Sequence, residues 1–191
     1  MSYPPPQSPK ADFLETLGKH VRMRNTSALL NLVKCGQQYK GFTILMLVAM
    51  HTDGTETLKQ ILRSFPKELN KRSKSSLEDC LGDLGVAVQN DFHSDKGLSP
   101  LMVATMVGPP PSVKALIDAG ADLDIKSASG RCVLDLAMIR NDFQIWRCLK
   151  DWKPFCSPHT SSNHRLNCHC NPEKYIVKYV KFLLVSNLQV Q

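Results

Sequence analysis

A chain of 191 residues with 42% hydrophobic and 21% charged content suits one domain or a short stack of repeated units, and that balance excludes an intrinsically disordered chain. No apolar run in it approaches the ~20 residues that a membrane-spanning helix needs, so we expect no membrane partner. The formal net charge of +7 favours acidic proteins, nucleic acid or other polyanions as partners through long-range steering.

The positive charge is clustered. Six Lys or Arg stand against two acids in residues 1–40, and seven against two in residues 147–191. Within residues 59–74, Lys59, Arg63, Lys67, Lys71, Arg72 and Lys74 face only Glu68. A solvated, mildly basic surface accounts for most charge of this kind. The seven cysteines are odd in number, and MSYPPPQSPK lacks the apolar core of a secretory signal. Reduced thiols in an intracellular protein, cytoplasmic or nuclear, are therefore expected.

Residues 1–10, with three consecutive prolines and a Ser-Pro, read as a disordered tail. Residues 11–40 predict two helices. Asp12 is placed to cap the first, with Phe13, Leu14 and Leu17 on one face; Thr26 or Ser27 opens the second, which buries Leu29, Leu30, Leu32 and Val33. Gly36 closes it in a left-handed turn. Residues 41–72 repeat the pattern as GFTILMLVAM, a turn at 51–54, and a helix whose apolar face is Leu58, Ile61, Leu62 and Phe65, stopped by Pro66. Residues 73–92 have little room for a first helix and read as a truncated unit. Residues 94–126 and 127–155 are the clearest units. In the latter, Leu134, Leu136 and Ala137 fill the first helix, and Phe143, Ile145, Trp146 and Leu149 the second. Residues 156–191 divide into a Cys/His-rich loop and an amphipathic helix opened by Asn171-Pro172-Glu173, with Lys174, Lys178 and Lys181 on one stripe. They read as a degenerate C-terminal capping unit or tail.

The step from Gly97 to Gly130 is 33 residues. GLSPLMVA stands in phase with GADLD, through Gly97, Ser99, Pro100, Leu101, Ala104, Gly108, Leu116, Gly120, Ala121 and Asp122. Gly130, Leu134, Ala137 and Leu149 match in the next unit, and Gly41, Thr43, Leu45, Ala49, Gly54, Ile61, Leu62 and Asn70 in the earlier one. On these residues the chain resembles an ankyrin-repeat protein. The resemblance implies an all-α solenoid of four to six helix–turn–helix units over residues 11–155, with projecting loops and irregular ends. There are departures. Met46, Met102 and Asp135 stand where the family has His, Cys132 stands where it has Thr, and Pro109–Pro111 crowds a turn. These predict a less regular array.

The resemblance also implies non-catalytic protein–protein recognition, as an intracellular adaptor or regulator, through a concave face of loop tips and first-helix inner ends. Carried over residue by residue, that face comprises Tyr39, Lys40, Phe42, Met50 and His51, then Asp95, Lys96, Leu98, Met106 and Val107, then Arg131, Ile139 and Arg140. Met, aromatic and Arg anchors among polar neighbours are what interface cores and rims contain. For Phe42, Leu98 and Ile139, packing between units is an equal alternative. An unidentified protein, acidic in character, is the expected partner of a monomer that needs no cofactor.

Four further features stand outside the repeat pattern. Cys156, His159, Cys168 and Cys170 carry zinc-type donors, but the tight Cys168-x-Cys170 spacing and the want of a second CxxC favour a degenerate cap. Lys71-Arg72-Ser73-Lys74 reads as solvated loop charge before it reads as a phosphate-contacting or import patch. The Lys-striped helix reads as a cap for the stack before a membrane-surface helix. Asn70 resembles the loop Asn that hydroxylases modify in ankyrin repeats, and also an ordinary structural Asn. Nucleic-acid association through the basic flanks is the alternative function. No GxxxxGK, GxSxG or HExxH motif supports an enzyme.

Overall fold

The computed structural model describes residues 9–81 and 94–150, with side chains for 13–81 and 94–149. Helix α1 (Pro9–Arg22) pairs with α2 (Thr26–Lys34). A two-stranded ribbon follows, β1 (Gln38–Tyr39) and β2 (Phe42–Thr43), and leads into α3 (Ile44–Met50) and α4 (Thr55–Ser64). A 3-10 turn (Pro66–Glu68) and the short α5 (Leu77–Leu81) precede α6 (Pro100–Val107) and α7 (Pro110–Asp118). Helices α8 (Val133–Arg140) and α9 (Phe143–Lys150) complete the described chain.

Helices of seven to ten residues are not stable alone, and here they stack. An inner row runs α3, α6, α8, and an outer row runs α2, α4, α7, α9. Ala49, Ala104 and Ala137 of the inner row are buried. The apolar faces predicted for the outer row are largely inside. Leu58, Ile61, Leu62, Val113, Leu116, Ile145 and Leu149 are buried, whereas Phe143 stands 45% exposed. Among the described residues no helix is long and apolar enough to cross a membrane.

Two boundaries differ from the sequence reading. Helix α1 already begins at Pro9, so Asp12 lies inside its first turn and does not cap it, and residues 9–10 belong to a helix. Helix α3 packs directly on α6 and α4 directly on α7. The described part of the segment read as a truncated unit, residues 73–81, therefore places no helix pair between them. Its helix α5 is opened by a reciprocal cap: Asp79 N donates to Ser76 Oγ at 3.1 Å and Ser76 N to Asp79 Oδ2 at 3.2 Å.

The remaining signals work through local chemistry. Thr43 and Ser99 cap α3 and α6 by accepting from Met46 N at 3.3 Å and Met102 N at 3.2 Å. At the equivalent position Cys132 is a poor cap, and Asp135 compensates by accepting from Cys132 N at 3.0 Å. The departures Cys132 and Asp135 thus repair each other. Pro109–Pro111 causes no crowding either, because Pro110 occupies the first turn of α7, where a missing N–H costs nothing.

Three helices end in the same left-handed motif. Gly36 follows α2, Gly120 follows α7, and Arg24 follows α1 at φ 52°. In each the left-handed residue donates back three positions, to Val33, Ile117 and Val21 respectively, and its successor donates back five. A Cβ on Gly120 would meet nothing within 4 Å, so only backbone strain opposes a side chain there. Substituting Gly120→Ala should cost about 1–2 kcal/mol, and Arg24→Gly should return a gain of similar size, because an L-residue pays that penalty in the left-handed region. Urea midpoints of the two variants, moving in opposite directions, check this.

Candidate functional site

The segments that enter the inner helices form a row of loop tips. The first is the ribbon turn Lys40-Gly41, with φ 45° and 79°, the arrangement of a type I′ hairpin. Gly41 serves a second purpose, since a Cβ there would come within 2.8 Å of Lys74 Cβ. Main-chain bonds tie each tip to the next. Lys74 N donates to Gly41 O at 3.1 Å, Ser73 N to Leu98 O at 2.8 Å, and Ala128 N to Lys96 O at 2.8 Å.

Three buried or engaged side chains reinforce the row. Ser73 Oγ accepts from Leu98 N at 3.0 Å. Arg72 Nε donates to Gly97 O at 3.0 Å, and its Nη2 donates to Lys126 O, which staples three tips with one guanidinium. Asp95 accepts from Ser129 N at 3.1 Å, Lys96 N at 2.9 Å and the Ser129 hydroxyl. Burial alone would raise the Asp95 carboxyl. The hydrogen bonds from Ser127, Ser129 and Lys96 outweigh it and hold the group below its ordinary 3.8.

The sequence-predicted site residues divide sharply. Tyr39, Phe42, Leu98 and Met106 are buried, the first three in the loop bases and Met106 in α6. They pack between units and cannot touch a partner, because stacking takes up their apolar surface. Asp95 is likewise a clamp within the loops. Lys40 donates to Asp79 O at 2.7 Å and so ties α5 to the ribbon. Arg140 is also structural. Its Nη1 donates to Gly108 O at 2.7 Å and Thr105 O at 3.1 Å, answering carbonyls at the end of α6, and Asp142 lies 3.4 Å from Nη2. Burial pushes the guanidinium pKa down, and Asp142 opposes that.

Lys96 is exposed, Arg131, Met50, His51 and Val107 are partly so, and Ile139 is 44% exposed. Met50 and His51 line a cavity of about 450 Å³ with Leu14, Leu17, Leu47 and Cys80. The His51 imidazole there is held below its usual pKa by burial and by Arg22, against Asp53. Asn70 is exposed, and its Oδ1 accepts from Asp122 N at 3.1 Å, bridging adjacent loops. Cys156, His159, Cys168 and Cys170 lie outside the described residues, as do the Cys/His-rich loop and the Lys-striped helix. Among the described residues no cluster of His, Cys, Asp or Glu is placed to hold a metal.

The basic run 71–74 is mostly engaged. Lys71 pairs with Glu68, Arg72 is the staple, and Ser73 is buried. Lys74, Lys96 and Lys126 are exposed and Arg131 is half-buried; Lys126 and Arg131 flank a single tip, closed by Ser127 N donating to Arg131 O at 2.9 Å. The staple and the clamp were missed from sequence. Their partners lie 25 to 54 residues away, and no local spacing signals them.

With this geometry in place, the comparisons are specific in one respect. Residues 96–128 match the family model described as ankyrin repeat. The chain therefore carries an ankyrin repeat there, comprising the Lys96 tip, α6, α7 and the loop to Ala128. No curated protein matches the chain. Among solved structures it is similar to a chain in the Bd0816 predatory endopeptidase from Bdellovibrio bacteriovorus in complex with immunity protein Bd3460. The identity is 22% and the TM-score 0.47, over 72% of this chain and 63% of that one.

Two substitutions test the engaged residues. The folded-state Asp95 carboxyl lies below its unfolded value, so the unfolded chain binds the proton more readily. The stability it contributes is complete above the ordinary carboxylate range and is lost as pH falls through the folded pKa. Thermal midpoints should therefore fall less steeply from pH ~5 to pH ~3 in Asp95→Asn than in the wild type. Replacing Arg140→Ala should lower unfolding free energy by about 2 kcal/mol in urea titrations, with Arg140→Lys recovering little, because one ammonium cannot reproduce the guanidinium geometry at several carbonyls.

Proposed function

We propose that this chain is a non-catalytic protein-recognition module, an adaptor or regulator within the cell. Its contact surface is the row of loop tips continued by the partly open inner-helix ends at Val107 and Ile139. An ankyrin repeat is typically a protein-binding module, and the repeat at residues 96–128 supports that class of function. One observation carries the choice of surface: the tips have exposed side chains on a backbone pinned by cross-loop hydrogen bonds. A surface held in place before encounter loses little conformational entropy on binding. The flanks of α3 and α6 offer less. Residues 44–49 of α3 and 100–106 of α6 are buried throughout, which moves recognition from the inner-helix faces to the tips.

Photo-crosslinking distinguishes the surfaces. A photoreactive residue installed at Lys96 or Arg131 should give discrete covalent protein adducts in cell extract, and one at Gln60 on the exposed face of α4 should give none. Adducts from Gln60 alone, or from no position, would sink the proposal.

A further inference from the structure

A second feature stands apart from the loop tips. Helix α1 pairs with α2 and α3 packs on α6, and the space between α1, α3 and α5 is left as the cavity of about 450 Å³. Of its apolar lining, Leu17, Leu47 and Cys80 are buried, while Leu14, Met50 and Leu81 are partly exposed. The cavity is thus apolar inside and open to solvent. Clefts of roughly 300–1,000 Å³, lined by apolar side chains with a few polar groups, are the usual form of a small-ligand site.

The polar groups converge at one place. A Cβ on Gly18 would lie 3.2 Å from His51 Cε1, 3.5 Å from His51 Nε2 and 3.6 Å from Arg22 Nη1. Glycine is unfavourable inside a helix, and here its missing side chain gives the imidazole and the guanidinium room to meet over one point of α1. Among the described residues neither side chain has a hydrogen bond or ion pair. Burial and Arg22 hold the imidazole below its ordinary 6.5, against Asp53. At neutral pH the ring therefore presents one N–H donor beside the guanidinium.

Neighbouring acids limit the charge that fits. Glu15 also lines the cavity, about two turns of α1 before Arg22 and so ~10 Å from it along the axis. Asp53 is exposed just beyond His51. Both disfavour a second negative group, which counts against a nucleotide or a phosphate dianion. Apart from His51 the lining has no ring on which a base could stack. Its leucines and Met50 suit a flexible aliphatic body instead.

We infer that the cavity between α1, α3 and α5 binds a small aliphatic monocarboxylic acid, its carboxylate at Arg22 and His51 and its hydrocarbon body against Leu17, Leu47 and Met50. This site goes beyond the loop tips and does not depend on their reading as a contact surface.

The test uses the full chain and octanoate. Calorimetric titration should give saturable binding of one molecule per chain, and the Met50 methyl and His51 ring signals should shift in NMR spectra. Hexanoate should bind more weakly, by roughly fourfold for each methylene removed. Octanol and octylamine should bind about tenfold more weakly than octanoate, because neither carries a carboxylate to accept from Arg22. Arg22→Glu should weaken octanoate binding by about tenfold or more, and Arg22→Gln should give an intermediate loss. Leu14→Trp, which fills the cavity, should abolish the Met50 shift. Lys19→Glu, exposed on α1 outside the cavity, should leave affinity as it was, with helicity by circular dichroism unchanged in all four variants. Absence of saturable binding, equal affinity for octanol or octylamine, full binding in Arg22→Glu, or an equal loss in Lys19→Glu would each overturn the inference. Tighter binding of a short peptide ending in Leu, which offers the same chemistry from a protein, would overturn it as well.

Discussion

The direct packing of α3 on α6 is the contact on which the rest of the molecule depends. Each helix is too short to persist in water, and each has its apolar residues distributed around its whole circumference. Residues 44–49 and 100–106 lose nearly all their exposure in the stack. Fully burying one large aliphatic side chain is worth about 1.5–3 kcal/mol, and this contact buries several on each side. That contact sets the order of rungs, aligns α4 with α7, and brings the loop tips of distant segments into one row. The described part of the segment between the two rungs, residues 71–81, adds no helix pair between them.

A consequence is the division of labour between helices and loops. Residues 44–49 of α3 and 100–106 of α6 are buried and specify stacking, whereas Ile139 of α8 stays 44% exposed. The tips are polar and project, and would cost entropy if left loose. Their backbone donors and acceptors instead bond across to neighbouring tips, and the Arg72 guanidinium and the Asp95 carboxylate fasten what the main chain does not. The charges that answer to solvent are the ones left over. The inward carboxylate of Asp95 stays ionised and is occupied by donors within the loops, while Lys74, Lys96 and Lys126 stay exposed.

The candidate site was legible only in part. Lys96, Arg131 and Ile139 could be placed at tips or inner-helix ends from their phase with Gly97 and Gly130. Phe42, Leu98 and Met106 carry the same phase and lie inside. Repeat register fixes where along a unit a residue falls, but not which side of a short helix its neighbour covers. Arg140 shows the same limit. A C-terminal Arg on an inner helix looks available for a partner, but the carbonyls left unsatisfied at the end of α6 claim it first. The Lys71–Lys74 run looked like one patch and resolves into an ion pair, a staple, a buried serine and a single outward lysine.

By itself the sequence determined the helical periodicity, the turns and the stops. It placed glycines where φ must be positive, capping hydroxyls at Thr43 and Ser99, and a proline at the first turn of α7. These are local requirements, set within a few residues by sterics and by unsatisfied helix ends, and a linear reading reaches them. Tertiary structure decided that the third rung packs directly on the second and that Arg72 and Asp95 hold the tips together. Those outcomes depend on which groups are left without water or a partner once helices stack. That is a property of the packed assembly, and no spacing along the chain encodes it.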